Sequence, residues 1–227
     1  MAIRIAGTAF ITGGVLGIGK AAVAIYARNR IEKIALVNIN EDGLRSAAAD
    51  LTVEFPYIRV EIYRADVSSE EQLFIALESV IKVFSRINIA VHAAGITHLP
   101  SRTMELSTKD WQKKLVIRQM LKQERTIVNV SSIFCITIPN IRVCAAAYVA
   151  SKHDRVRINI IYPGYISDTP FIRLALAANI LPFEIDRIAV RRAARVEEVA
   201  KAVLFLTSTM SSYVYSAALM VDGGYII

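Results

Sequence analysis

The sequence predicts an α/β fold: one doubly wound, mostly parallel sheet of about seven strands, in a single domain spanning residues 1–227. Three observations predict it. Short, β-rich apolar runs alternate with helix-period segments along the whole chain, which is the pattern of βαβ units. Hydrophobic residues make up 54% of the chain and the mean hydropathy is +0.42, values expected when strands are buried on both faces. Polar residues and glycines recur where strands end, at Gly13, Asn38, Asp66, Ala93 to Gly95, Ser132 and Pro163. Open α/β sheets bind ligands beyond the carboxyl ends of their strands.

In chain order, strands are expected at 6–11, 33–39, 58–63, 87–92, 126–130, 156–161 and 217–221. Helices are expected at 17–28, 42–55, 70–84, 108–123, 145–154 and 197–207. The longest uncharged run, A202 to V221, reaches twenty residues, nominally enough to cross a bilayer. Its centre, T207-S-T-M-S-S212, is polar, so it reads as helix, loop and strand. The first residues carry one arginine ahead of apolar residues, but glycines crowd them and no small-x-small cleavage site stands out. A first strand and turn explain them better.

Charge and cysteine narrow the function classes. The formal net charge is +7, spread over short groups such as Arg191, Arg192 and Arg195, or Lys113, Lys114 and Arg118. None is a run of five or six, and none alternates with aromatics. They read as solvated helix faces and not as a nucleic-acid surface. Cys135 and Cys144 have no metal-ligand spacing and suit free thiols in a reducing, cytoplasmic compartment. His92, His98 and His153 form no metal-binding cluster, so no metal is expected.

The stretch T12-G-G-V-L-G-I-G-K-A21 supports two readings. From Gly14 to Lys20 it matches the phosphate loop of nucleotidases, except that Ala21 replaces the Ser or Thr that would hold Mg²⁺. From Thr12 to Gly19 it matches a dinucleotide turn. There, glycines let the backbone approach a pyrophosphate and the next helix offers its N-terminal N–H groups.

Later motifs bear on the choice. T126-I-V-N-V-S-S132 is a strand ending in serines. Tyr148 and Lys152, four apart in Y148-V-A-S-K152, share one helix face. Y162-P-G-Y165 and V221-D-G-G224 follow. In this order, with A65-D66-V67 and H92-A-A-G95, the motifs resemble the short-chain dehydrogenase/reductase family over essentially the whole chain. The resemblance implies a Rossmann fold and NAD(P)-dependent interconversion of a small-molecule alcohol and carbonyl. It implies Tyr148 as general acid/base, Lys152 beside it, and Ser132 as the hydrogen-bond donor to the substrate oxygen, with Ser131 as the alternative. It also implies a cofactor held by Thr12, Gly13, Gly17, Ile18, Gly19, Asn38, Asp66, Val67, Ala94, Gly95, Tyr148, Lys152, Pro163, Gly164 and Thr169. Tyrosine titrates near ~10; a neighbouring ammonium favours the phenolate and makes it a usable base. Of NAD and NADP, NAD is favoured. Asn38 can bond a ribose hydroxyl, and no basic residue stands at Val15, Leu16 or Ile39 to attract a 2′-phosphate.

The chain departs from the family pattern in four places. The helices after strands 4 and 5 read as shortened, and these form the main subunit interface in many members, so a homo-oligomer of the usual kind would be compromised. Arg118 stands about two turns beyond Trp111, where the family carries a relay Asn. His92 replaces the first Asn of an N-N-A-G segment. Ser216 stands at a usual glycine. A second reading follows, a family member that binds dinucleotide without efficient turnover.

Overall fold

Seven parallel strands make one sheet in the computed structural model, which describes residue 3 and residues 5–95, 125–132, 156–177 and 181–226. They are β1 (Thr8–Thr12), β2 (Lys33–Asn38), β3 (Arg59–Arg64), β4 (Ile89–His92), β5 (Arg125–Val130), β6 (Val156–Pro163) and β7 (Ala218–Val221). The order is β3-β2-β1-β4-β5-β6-β7, and each neighbouring pair is parallel. The order reverses between β1 and β4, so a ligand site is expected at the carboxyl ends of those two strands.

Among the described residues there are six α-helices: α1 (Gly17–Arg28), α2 (Glu41–Glu54), α3 (Glu70–Phe84), α4 (Pro170–Ala177), α5 (Leu181–Arg187) and α6 (Val196–Thr207). All seven expected strands form, and four of the six expected helices form to within a residue or so. The other two, at 108–123 and 145–154, lie outside the described residues. So do their expected shortening, Trp111, Arg118, Tyr148, Lys152 and both cysteines. The run 202–221 divides as expected: α6 ends at Thr207, a 3-10 turn covers Thr209–Ser211, and β7 follows. Among the described residues no helix is long and apolar enough to cross a membrane.

Alternation along each strand sorts the core onto two faces. One face packs Ile11, Leu36, Val91, Val128 and Ile161 under α1, α2 and α6. The other packs Phe10, Val37, Ala90, Ile127, Ile158 and Ile160 with Leu73, Leu77 and Val80 of α3. All eight residues of β6 are buried, Arg157 and Asn159 included.

Two expectations about the second half need correction. α4 and α5 occupy a stretch read only as apolar. The missed signal is Pro170, the first helical residue of α4, where proline's fixed φ suits a helix start and its missing N–H costs nothing. Arg191 and Arg192 do not lie on a helix face but in the turn before α6. Arg191 has φ 54°, and Arg192 bonds both carboxylate oxygens of Glu198 at 2.7 and 2.8 Å. Glu198 also accepts the N–H of Arg195, the residue capping α6, at 2.8 Å. The turn is needed because the chain must return from α5 to the sheet, where Ala194 bonds Tyr165.

Candidate active site

The glycine turn sits at the reversal of strand order. Gly13 has φ +72°, a conformation that costs glycine nothing. Its N–H bonds the Val37 carbonyl at 2.9 Å. A Cβ on Gly13 would lie 2.7 Å from the Ala94 nitrogen, and one on Gly19 would lie 2.2 Å from the Gly13 carbonyl oxygen. Thr12 completes the joint: its hydroxyl accepts the Ala94 N–H at 3.3 Å, while its carbonyl accepts that of Ala93 at 3.2 Å. The expected residues Thr12, Gly13, Gly19, Ala94 and Gly95 therefore converge on one corner. Gly17 opens toward Thr169, whose methyl would be 3.7 Å from a Cβ there.

The start of α1 differs from those of α2 and α3. Asn40 caps α2 by accepting the Gly43 N–H at 3.0 Å, and Ser69 caps α3 through Gln72 at 3.3 Å. Both helices carry two acidic residues in their first turn. α1 is preceded by Leu16, has no side-chain cap and has no acidic residue in its first turn. Its positive end therefore faces outward beside glycines, which suits a phosphate. Lys20 is exposed on α1.

Asn38 ends β2 half-buried, and its Oδ1 accepts the Asn40 N–H at 2.9 Å. Asp66 ends the crossing after β3, its carboxylate accepting the Ser68 N–H at 2.8 Å. That hydrogen bond holds the Asp66 carboxyl below its ordinary pKa. Asp66 is not the cap of α3. Ser69 holds the cap position, because Asp66 lies three residues too early and instead shapes the turn before it. Val67 follows in the same turn.

On the far side, β5 delivers Ser131 and Ser132, both half-buried; the Ser131 N–H bonds the Ile161 carbonyl at 2.8 Å. Pro163 ends β6. The Gly164 N–H bonds the Val221 carbonyl at 3.1 Å, and a Cβ on Gly164 would sit 2.8 Å from the Asp222 Cα. Thr169 hydrogen-bonds the Ile166 carbonyl at 2.8 Å. Asp168 takes φ 62° in this loop. The loop is tied to the C-terminal tail: Tyr225 bonds Glu184, accepts from Arg187 at 2.9 Å, and meets the Tyr165 ring edge-on at 5.6 Å. Burial, and then the Glu184 charge, push the Tyr165 hydroxyl above its ordinary pKa.

Two supporting residues escaped the sequence reading, Arg157 and Asn159 in V156-R-I-N-I-I161. The Arg157 guanidinium is buried and bonds the Ser211 hydroxyl and carbonyl at 2.9 Å, the Thr126 hydroxyl at 2.8 Å and the Ser208 carbonyl at 3.2 Å. Asn159 donates to the Val214 carbonyl at 3.1 Å and accepts the Ala217 N–H at 3.0 Å. Together they fasten the loop before β7. The available signal was two polar residues at i and i+2 inside an apolar strand.

Strand order, glycine corner and polar strand ends define a Rossmann-type domain with a site along the carboxyl edge of its sheet. A family model described as enoyl-(acyl carrier protein) reductase matches residues 14–226. The 3-oxoacyl-(acyl-carrier-protein) reductase FabG of Chlamydia muridarum is 31% identical over 244 positions, covering 95% of this chain and 96% of that protein. An uncharacterised short-chain type dehydrogenase/reductase of Sinorhizobium fredii is 29% identical over 95% of this chain, which spans only 43% of that longer protein. Among solved structures, L-sorbose reductase from Gluconobacter frateurii, complexed with NADPH and L-sorbose, superposes with a TM-score of 0.86. It is 25% identical and is covered over 99% of its length by 100% of this chain. The chain belongs to the short-chain dehydrogenase/reductase family of oxidoreductases. That membership removes the phosphate-loop reading of Gly14 to Lys20.

Proposed function

We propose that this chain binds a nicotinamide dinucleotide along the carboxyl edge of the sheet and interconverts an alcohol and a carbonyl compound. The observation that carries the reading is the uncapped start of α1 against a corner where a Cβ on Gly13 or Gly19 would collide with backbone. The two features together suit a pyrophosphate approached by backbone. Thr12, Gly13, Gly17, Ile18 and Gly19 would hold the pyrophosphate side. Asn38, Asp66 and Val67 would hold the adenosine side. Ala94, Gly95, Pro163, Gly164 and Thr169 would hold the nicotinamide side. The bound dinucleotide supplies the hydride chemistry.

The chain's own residues handle the proton and the developing charge. Tyr148 gives or takes a proton at its phenolic oxygen. The Lys152 ammonium favours the phenolate and brings that exchange toward neutral pH. Ser132 donates a hydrogen bond to the substrate oxygen as charge builds there. These roles rest on the motif resemblance. The substrate is a small molecule, with a hydrophobic carbonyl compound favoured by the mostly apolar segment at 171–183.

A second reading is supported by alignment length. The chain has 227 residues, yet its match to the C. muridarum enzyme runs over 244 positions, so that relative carries residues this chain lacks. A protein that binds the cofactor and turns over poorly fits the loss. Titration with NADH, NADPH and Mg·ATP, followed by a panel of carbonyl substrates, separates the readings. Binding of either dinucleotide with turnover supports the first, and binding without turnover supports the second. Binding of ATP alone overturns both. Tyr148→Phe should lower turnover by about 10²-fold or more while leaving dinucleotide affinity unchanged; an active variant would refute its role.

A further inference from the structure

The chain around Asn38 lacks a basic residue, but the sheet brings one in from another strand. Asn38 and Arg64 are partners in the parallel register of β2 and β3, which places their Cα atoms about 5 Å apart. Both are the last residues of their strands. Alternation puts them on the same face of the sheet as Leu36 and Ile62, which pack under α1 and α2. Arg64 is exposed, and among the described residues no carboxylate pairs with it. The other arginine of β3, Arg59 at its opposite end, is taken by Glu61 at 3.0 Å.

On β2 the group facing Arg64 is a donor, and the carboxylate two residues beyond Arg64, Asp66, is not paired with it but accepts the Ser68 N–H at 2.8 Å. The Asn38 side-chain Oδ1 accepts the Asn40 N–H at 2.9 Å and its main-chain carbonyl accepts the Ala65 N–H at 3.0 Å, so its side-chain N–H₂ is the part without a bond. The Asn40 side chain is occupied by Gly43. The carboxylate that follows Asn38 most closely in the chain, Glu41, is paired with Arg45 at 2.6 Å. Asp42 sits in the first turn of α2, where the helix dipole offsets its charge. A free ribose 2′-hydroxyl needs an acceptor as well as a donor, and an acidic side chain normally supplies one. A 2′-phosphate needs only donors and a cation. The strand end offers an amide N–H₂ and a guanidinium, and no uncommitted acceptor side chain on β2.

We propose that Arg64 is the specificity-determining residue for the cofactor and that it selects a 2′-phosphorylated dinucleotide by bonding the phosphate next to Asn38. This rests on the dinucleotide reading above and reverses the preference for NAD drawn from the residues around Asn38 alone. Arg64 lies 26 positions after Asn38 in the chain, so only the register reveals it.

The test is a pair of fluorescence titrations, NADPH and NADH, on the full chain and its Arg64→Ala variant. The native chain should bind NADPH about ten-fold more tightly than NADH. Arg64→Ala should lose about ten-fold for NADPH and stay within about two-fold for NADH, the size of one exposed charge-assisted contact. The native preference should shrink as salt rises. Displacement of NADPH by 2′,5′-ADP, but poorly by 5′-AMP, should likewise vanish in the variant. Asn38→Asp should turn the preference toward NADH. Equal effects of Arg64→Ala on both cofactors, or none on either, overturn the assignment while leaving the dinucleotide reading intact. If neither cofactor binds the native chain, the dinucleotide reading falls and takes this one with it.

Discussion

Arg157 and Asn129 lie on adjacent strands of one sheet, yet their polar groups meet opposite fates. Arg157 points to the face covered by α6, where hydroxyls and carbonyls of Thr126, Ser208, Ser211 and Val214 surround it. Among the described residues no carboxylate balances its charge, and burial lowers its pKa from the ordinary arginine value. Asn129 points to the α3 face, in register with His92 and Ile160. Its side-chain oxygen is buried with no hydrogen-bond partner among the described residues. The first face uses a buried polar group as a fastener between the sheet and the loop before β7. The second face tolerates one. A buried polar group stabilises only when its partners are supplied by a neighbouring segment.

The contrast can be broken or sharpened by substitution. The largest effect is expected at Arg157→Ala. It strands several buried acceptors and leaves a cavity, costing about 3 kcal/mol, or roughly 10 °C in Tm for a chain of this size; calorimetry measures it. A loss under about 1 kcal/mol would mean the network is not a fastener. Gly19→Ala comes next. Its Cβ would meet the Gly13 carbonyl at 2.2 Å, so about 2 kcal/mol of stability and at least tenfold of NADPH affinity should go, read by denaturation and titration. Asn129→Leu should cost less than about 1 kcal/mol, because it removes an unsatisfied acceptor. A cost equal to that of Arg157→Ala would erase the difference between the faces.

Smaller effects test the loop and the charges nearby. Ser216 stands where the family usually has glycine and takes φ 55°, a conformation that strains a residue bearing a Cβ. Ser216→Gly should therefore stabilise by about 0.5 kcal/mol, seen as a small rise in Tm. The smallest effect is at Glu198. Hydrogen bonds from the Arg192 side chain and then the Arg195 N–H hold its carboxyl down from 4.5 to about 2. A depressed carboxyl pKa stabilises above the unfolded value and loses that contribution as pH falls. The stability gap between the native chain and Glu198→Gln should thus close between pH 4.5 and about 2, in acid-denaturation curves.

Much of the fold was legible because it is written in local signals. β1 and α1 were readable from an apolar run that meets Thr12 and the glycines, and α3 from the helical pattern of residues 70–84. The glycine corner was readable because close backbone approach requires residues without a Cβ. α4 and α5 were not read, since their short apolar stretch has no period long enough to count. Arg157 was passed over because one charge in a buried strand looks like noise until its acceptors are located, and those lie some fifty residues away.

By itself the sequence determined the strand-helix alternation, the dinucleotide turn and the family's order of motifs, because each depends on residues close together in the chain. The tertiary structure decided which distant groups became neighbours. It set Arg157 among the carbonyls of the last loop and aligned Arg64 with Asn38. Register in a parallel sheet pairs residues across a whole crossover, and spacing along the chain carries no record of that pairing. The proposed role of Arg64 therefore rests on the register of β2 and β3 and on nothing in the chain around Asn38.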